Sequence, residues 1–189
     1  LIADPGYELG VAMADADLPV TAAPGASAVL TALTVGGLPT DRFAFVGFLP
    51  NSKSQRQTEI ANLRDLNFTL VFYESPKRVH LLLSDLSDTL GSDRAAVVCR
   101  ELTKKFEEVS RGTLGALAAD FANRKVKGEI VVLVGRKGAV EVSQDDVATA
   151  LREAMKTMRV KDAATAVAGA LGLPRRQVYQ TALGLEDDE

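Results

Sequence analysis

Three apolar runs constrain this chain more than any other feature: residues 69–73 (TLVFY), 94–99 (RAAVVC) and 128–135 (GEIVVLVG). None alternates apolar with polar, so each needs cover on both faces if it is a strand. The segments between them carry the helical period instead. In residues 77–90 the apolar positions are Val79, Leu82, Leu83, Leu86 and Leu90, and residues 114–123 also read as a helix. Strands buried on both faces and separated by helices form an α/β sandwich.

The flanking segments extend this pattern. Residues 7–16 read as a helix, 18–21 as a short strand, and 26–35 as an Ala/Leu-rich helix opened by Pro24-Gly25. After the break at Gly36-Gly37-Leu38-Pro39, residues 43–49 (FAFVGFL) have strand composition. The polar stretch 50–57 (PNSKSQRQ) leads into a helix to about Leu66, and residues 106–110 read as an edge strand. Beyond Gly138 three helices are predicted, with Ser143 as an N-cap, Asp145 and Asp146 in the first turn, and breaks at 158–160 and at Gly172-Leu173-Pro174. The last break reads as a helix-turn-helix or a plain helical hairpin.

Composition narrows the function classes. One cysteine, Cys99, and one histidine, His80, exclude a disulfide framework and leave thiolate or multi-histidine metal sites unsupported. Cys99 reads as a small core residue and His80 as a helix-surface side chain. There is no apolar run of about 18 residues to span a bilayer. With no basic leader, the chain reads as soluble and cytoplasmic. The opening LIADPGYELG has no initiator Met and is apolar from its first residue. This gives the expectation of a chain whose N-terminal part lies outside the sequence.

Ligands of α/β sheets collect at the carboxyl ends of strands. Glu74, Lys77, Arg78, Arg100, Glu101 and Lys104 follow two such ends and are candidates for one rim. In a parallel sheet the residues before Glu129 would lie at the opposite edge. The competing reading is that Pro76 only opens a helix and Lys77 and Arg78 are solvated.

Five segments, AAPGASA (22–28), LPTDRFAFVGFLP (38–50), LVFYESPKRV (70–79), VVCRELTKKFEEV (97–109) and KGEIVVLVG (127–135), together resemble the ribosomal RNA small subunit methyltransferase I family of the tetrapyrrole methylase superfamily. The resemblance implies a tetrapyrrole-methylase-like α/β/α sandwich plus a C-terminal helical extension. It divides the chain into a remnant of the N-terminal cofactor-binding domain (1–40), a C-terminal α/β domain (41–138) and the extension (139–189). It implies S-adenosylmethionine-dependent methylation of a cytidine 2′-hydroxyl in 16S ribosomal RNA near the decoding centre, on a small-subunit substrate, by a homodimer. The alternatives are a tetrapyrrole C-methyltransferase of the same fold and a non-catalytic nucleic-acid-binding protein.

By the same resemblance, Ser27, Ala28, Tyr73, Glu101, Gly128, Glu129 and Ile130 line the cofactor site. Transfer to a ribose hydroxyl needs in-line approach, a proton acceptor and exclusion of water. The acceptor should be a carboxylate or a lysine of depressed pKa, which makes Glu101 and Lys104, three residues apart, the catalytic candidates. Glu74 and Arg78 are a second pair, and an ordinary ion pair accounts for either spacing equally well. No metal is expected.

RNA needs local positive charge. Lys53, Arg56, Lys77, Arg78, Lys105, Arg111, Arg175 and Arg176 are the candidates, with Lys104 beside them. Residues 151–183 hold six cations against two anions, Glu153 and Asp162. The acidic end, residues 186–189, offsets this basic tail within a formal net charge of −3.

Overall fold

The apolar runs do become strands. In the computed structural model the strands are β1 (Phe43–Gly47), β2 (Thr69–Glu74), β3 (Ala95–Arg100), β4 (Glu108–Thr113) and β5 (Ile130–Val134), hydrogen-bonded in the order β1-β2-β5-β3-β4. The structure describes residues 3, 5–137, 144–171 and 173–186. Two compact units divide between residues 137 and 138.

β1 and β2 pair in parallel, whereas β5 is antiparallel to β2 and to β3, and β4 is antiparallel to β3. The sheet is therefore mixed. A parallel β3–β4 pair would need a crossover of about a dozen residues, and only residues 101–107 connect them. The reversed β5 brings Gly128 and Glu129 to the edge where β1, β2 and β3 end. This corrects the expectation drawn for a parallel sheet.

Both faces are covered, as the unbroken apolar runs require. Leu70, Phe72, Ala96, Val98, Ile130, Val132 and Val134 point to one side. There they meet helices α3 (Lys53–Asn62), α4 (Val79–Leu90) and α5 (Leu114–Ala122) through Ile60, Leu82, Leu86, Leu117 and Phe121. The intervening Val71, Val97, Cys99, Val131 and Leu133 point to the other side, against Val29, Ala32 and Leu33 of α2 (Ala28–Gly36). Truncating a fully buried leucine such as Leu82 or Leu133 to alanine would cost about 2–5 kcal/mol. Close approach of α2 to the sheet depends on Gly36, where a Cβ would lie 2.5 Å from Leu133 Cδ1.

Helix α1 (Tyr7–Asp15) buries no residue. Residues 18–21 are not a strand but irregular chain. Pro19 withdraws a ladder donor, and Leu18 and Val20 lie exposed outside the core.

The second unit holds α6 (Gln144–Met155), α7 (Val160–Leu171) and α8 (Arg175–Glu186), the three helices predicted. Its own core contains Val147, Leu151, Ala164, Val167, Val178 and Ala182. The expected cap Ser143 lies outside the described residues. Among the described residues no helix is long and apolar enough to cross a membrane, and no cluster of His, Cys, Asp and Glu could hold a metal ion.

Candidate functional site

The edge where β1, β2 and β3 end and β5 begins opens into a cleft of about 480 Å³. Tyr73, Phe48, Ile130 and Val131 give it apolar walls, and Gly128, Glu129, Ser75 and Ala28 also line it. An adjoining recess of about 200 Å³ is lined by Ser27, Ala28, Thr103, Lys104 and Glu129. Ala28, Glu129 and Val131 line both spaces. Six of the seven residues expected at a cofactor site thus line two adjoining hollows, and the seventh, Glu101, bonds to Lys104 and Glu129 of the recess lining.

Tyr73 is fixed by edge-on contacts with Phe45 (4.9 Å between centroids) and Phe48 (5.7 Å). Burial, and then the Glu129 carboxylate, hold its phenol above the ordinary range, so it stays neutral and offers an apolar ring with a polar tip. Phe48 was not singled out from sequence. Its signal was an apolar residue just past a strand end, and it is exposed here. Ser27 precedes α2 without making a side-chain cap bond. Ser27 lines the recess, and the first N–H groups of a helix start without such a cap are left for water or a ligand.

Glu101 organises the edge. Its backbone N–H donates to Glu129 O (2.9 Å), and its Oε1 accepts from Glu129 N (2.9 Å) and from Lys104 Nζ (2.9 Å). Lys104 also donates to Glu129 Oε2 (3.1 Å). The carboxylate fits because Gly128 has no Cβ, which would lie 2.4 Å from Glu101 Cγ and Cδ; Gly128 also has φ +96°. Glycine is needed there both for space and for backbone conformation. Glu101 itself has φ +50° and Thr103 φ +64°, a turn held by the donation of Thr103 N to Glu107 Oε2 (2.6 Å).

The Glu129 N–H, and then Lys104, hold the Glu101 carboxyl below the usual range. Glu101, and then Glu129, raise Lys104 above the ordinary lysine value. This corrects the expectation of a lysine with depressed pKa: two carboxylates keep Lys104 an ammonium, which is a positioning charge and not a proton acceptor.

The polar end of β2 has a structural explanation. Glu74 is buried, and its carboxylate accepts from Ser75 N (2.6 Å) and Arg78 Nη2 (2.9 Å). Arg78 also donates to Leu49 O (2.8 Å), which ties the ends of β1 and β2 together. Arg78 is thus a clamp between strand ends, whereas Lys77 is exposed and makes no such bond among the described residues. Arg100 is likewise committed, to Glu108 (3.0 Å) and Lys127 O.

Other basic candidates separate in the same way. Arg56 is 3% exposed and donates to Asp85 Oδ2 (2.7 Å), Pro50 O and Asn51 O. It is a core ion pair and is removed from the RNA set. Arg111 donates to Val35 O and Gly36 O at the C-terminus of α2, where a cation complements the helix dipole, so it too has a structural task. Lys53 and Lys105 are exposed, the latter beside the Phe106 ring (5.6 Å). Arg175 and Arg176 are exposed on α8, Arg175 donating to Thr165 Oγ1 (3.0 Å). His80 is exposed on α4. Cys99 is buried, its thiol pushed up to about 11 by burial, which leaves it inert.

The class of protein follows from comparing this mixed sheet and its strand-end cleft with known proteins. The family model described as Tetrapyrrole (Corrin/Porphyrin) Methylases matches residues 1–118, and that of the RsmI C-terminal HTH domain matches residues 141–186. Solved structures of the same fold include the methyltransferase CobJ (TM-score 0.53, 21% identity, covering 70% of this chain and 57% of that one). The cobalt precorrin-4 methyltransferase CbiF is another (TM-score 0.52, 14% identity, 69% and 58%). The chain belongs, within that class, to the ribosomal RNA small subunit methyltransferase I family. The relative of that name from Mycobacterium tuberculosis is 42% identical over 97% of this chain and 64% of its own length. The one from Synechocystis sp. is 39% identical over 99% and 68%. The chain thus spans a little under two thirds of the length of the first of these.

Proposed function

We propose that this chain provides the catalytic edge of an S-adenosylmethionine-dependent methyltransferase that modifies a cytidine 2′-hydroxyl of 16S ribosomal RNA near the decoding centre. The observation that carries the reading is the meeting of Ser27, Ala28, Tyr73 and Gly128–Glu129–Ile130 around two adjoining hollows. Their size suits a small cofactor. The Cβ-free Gly128 admits close approach of a ligand to backbone, and the uncapped start of α2 suits a carboxylate or ribose. The bound cofactor would supply an electrophilic methyl group on a sulfonium.

The protein's residues would do the rest. Tyr73, Phe48 and Ile130 exclude water from one side of the cleft, and backbone groups of residues 128–130 read polar edges. Lys104 holds Glu101 and Glu129 in place. Glu101 is the proton acceptor of this reading, through Oε2. Its low pKa makes it a weak base, so alignment of the hydroxyl supplies the larger share of the acceleration. Lys53, Lys77 and Lys105 remain as exposed cations of the α/β unit for RNA. The reading also takes residues 1–40 as part of a cofactor-binding domain, 41–138 as the second α/β domain and 139–189 as its extension, with a cytoplasmic homodimer acting on the small subunit.

The test is calorimetric titration with S-adenosylmethionine, followed by transfer of labelled methyl to 16S RNA in small subunits lacking the modification, using the full-length protein. Saturable binding and one labelled 2′-O-methylcytidine are expected. Binding without transfer to RNA would refute the substrate, and no binding would refute the enzyme reading. Glu101→Gln should lower kcat, and full turnover in that variant would remove its role as acceptor.

A further inference from the structure

We infer that the helical unit carries a separate binding site for single-stranded RNA, in a groove where α6 ends, α7 begins and α8 passes. The inference rests on the RNA reading above but concerns residues outside the cofactor cleft. The groove encloses about 730 Å³. Its floor is apolar and open: Met158, Leu183 and Tyr179 are 47%, 40% and 36% exposed, with Met155 beside them. Met158, Tyr179 and Leu183 lie outside the core of the unit, whereas Met155 packs against it. On α8 the core is served by Val178 and Ala182. Tyr179 and Leu183, four residues apart, form a second stripe along the same helix.

The rim is cationic. Arg152 and Lys156, also four apart, line one side, and Arg159 and Lys161 line the turn into α7. Of these four only Lys156 has an ion pair among the described residues, with Glu153 (2.6 Å). Asp162 is the other nearby anion. An apolar floor containing an aromatic ring, surrounded by four cations of which three have no ion pair among the described residues, matches the chemistry of an unstacked base joined to phosphates. The base stacks on the ring and adaptable methionines cover it, while the phosphates meet the rim. Duplex DNA offers no unstacked base. The N-terminal end of α8, where a helix-turn-helix would read a duplex, holds Arg175 and Arg176, and Arg175 already donates to Thr165.

The test is fluorescence anisotropy of the 189-residue chain with a labelled single-stranded RNA of about eight nucleotides, within the usual site size, without cofactor. Tyr179→Ser is expected to weaken binding about 5- to 160-fold, and Tyr179→Phe to keep it. Arg152→Gln with Arg159→Gln should lower the slope of log affinity against log salt by about 1.4. Wild-type affinity in Tyr179→Ser would overturn the site, as would equal weakness in Tyr179→Phe. Loss confined to Arg175→Gln with Arg176→Gln, preference for duplex DNA, or no RNA binding by the chain would also overturn it. Because no cofactor is present, failure of methyl transfer leaves this result standing. Conversely, loss of the groove with transfer intact removes the groove alone.

Discussion

Asp85→Ala would strand the Arg56 guanidinium in the core, and the cost follows from the bonds lost. Arg56 and Asp85 have side chains 3% and 4% exposed. The substitution removes the donation of Arg56 Nε to Oδ2 (2.7 Å) and that of Gln57 Nε2 to Oδ1 (3.0 Å). It leaves Arg56 only the carbonyls of Pro50 and Asn51. Removing one partner of a buried pair costs about 3–5 kcal/mol, a large part of the roughly 5–15 kcal/mol that holds a domain folded. Replacing both, as Arg56→Met with Asp85→Leu, should come within about 1–2 kcal/mol of wild type, because no charge is left unpaired. Hydrogen exchange of peptides from β2 and β5 in urea reads opening of this unit separately from the helical one. With a urea dependence of about 2 kcal/mol per molar, the single variant should shift the midpoint by about 2 M. A shift under about 0.5 M in Asp85→Ala, together with weaker RNA binding by Arg56→Met at unchanged stability, would refute the structural role and return Arg56 to the RNA surface.

Other perturbations probe the cleft directly. Gly128→Ala should destabilise by about 1–3 kcal/mol from backbone strain alone, with further loss from the Glu101 clash. Calorimetry should find cofactor binding lost before the fold is lost. The Glu101–Lys104 clamp has a pH window with a defined sign. The folded pKa of Glu101 is lowered from 4.5, so its stabilisation is present above that value and disappears as pH falls through the folded pKa. The folded pKa of Lys104 is raised from 10.5, so its share is present below that value and disappears as pH rises through the folded pKa. Exchange protection at residues 101–104 should therefore hold across neutral pH and fall at both extremes. Arg111→Gln should cost about 0.3–1 kcal/mol by removing the cation from the end of α2, seen in urea melts, and leave RNA affinity unchanged.

The α/β sandwich was legible because its strands are apolar on both faces and its helices keep their period. Val71 and Leu70 need opposite helical layers, and the run TLVFY says so without a structure. Strand direction was not legible. Nothing in GEIVVLVG distinguishes a strand running with its neighbours from one running against them, and the position of Glu129 depended on that choice. The cleft residues Ser27, Tyr73, Gly128 and Ile130 were found through the resemblance, since each alone also reads as an ordinary turn or core position. The burial of Arg56 was not legible, because a cation in a polar sequence context gives no sign that a carboxylate 29 residues away will claim it, and the bonds of Arg111 to the end of a helix were equally hidden. Phe48 escaped notice because an apolar residue after a strand reads as more strand.

The strand order also has consequences during synthesis. β5 is the last of the five described strands to be made, yet it is the middle of their sheet. Until residues 130–134 leave the ribosome, β1-β2 and β3-β4 are two separate pairs, each with one raw apolar edge, at Leu70–Glu74 and Ala96–Arg100. A nascent chain arrested before Ile130 would display both edges and be prone to pair with other chains. The same insertion that joins the pairs delivers Glu129, Ile130 and Val131 to the cleft, so the cleft cannot be complete before the sheet is closed. Formation of the cleft thereby becomes a report that translation has passed Val134.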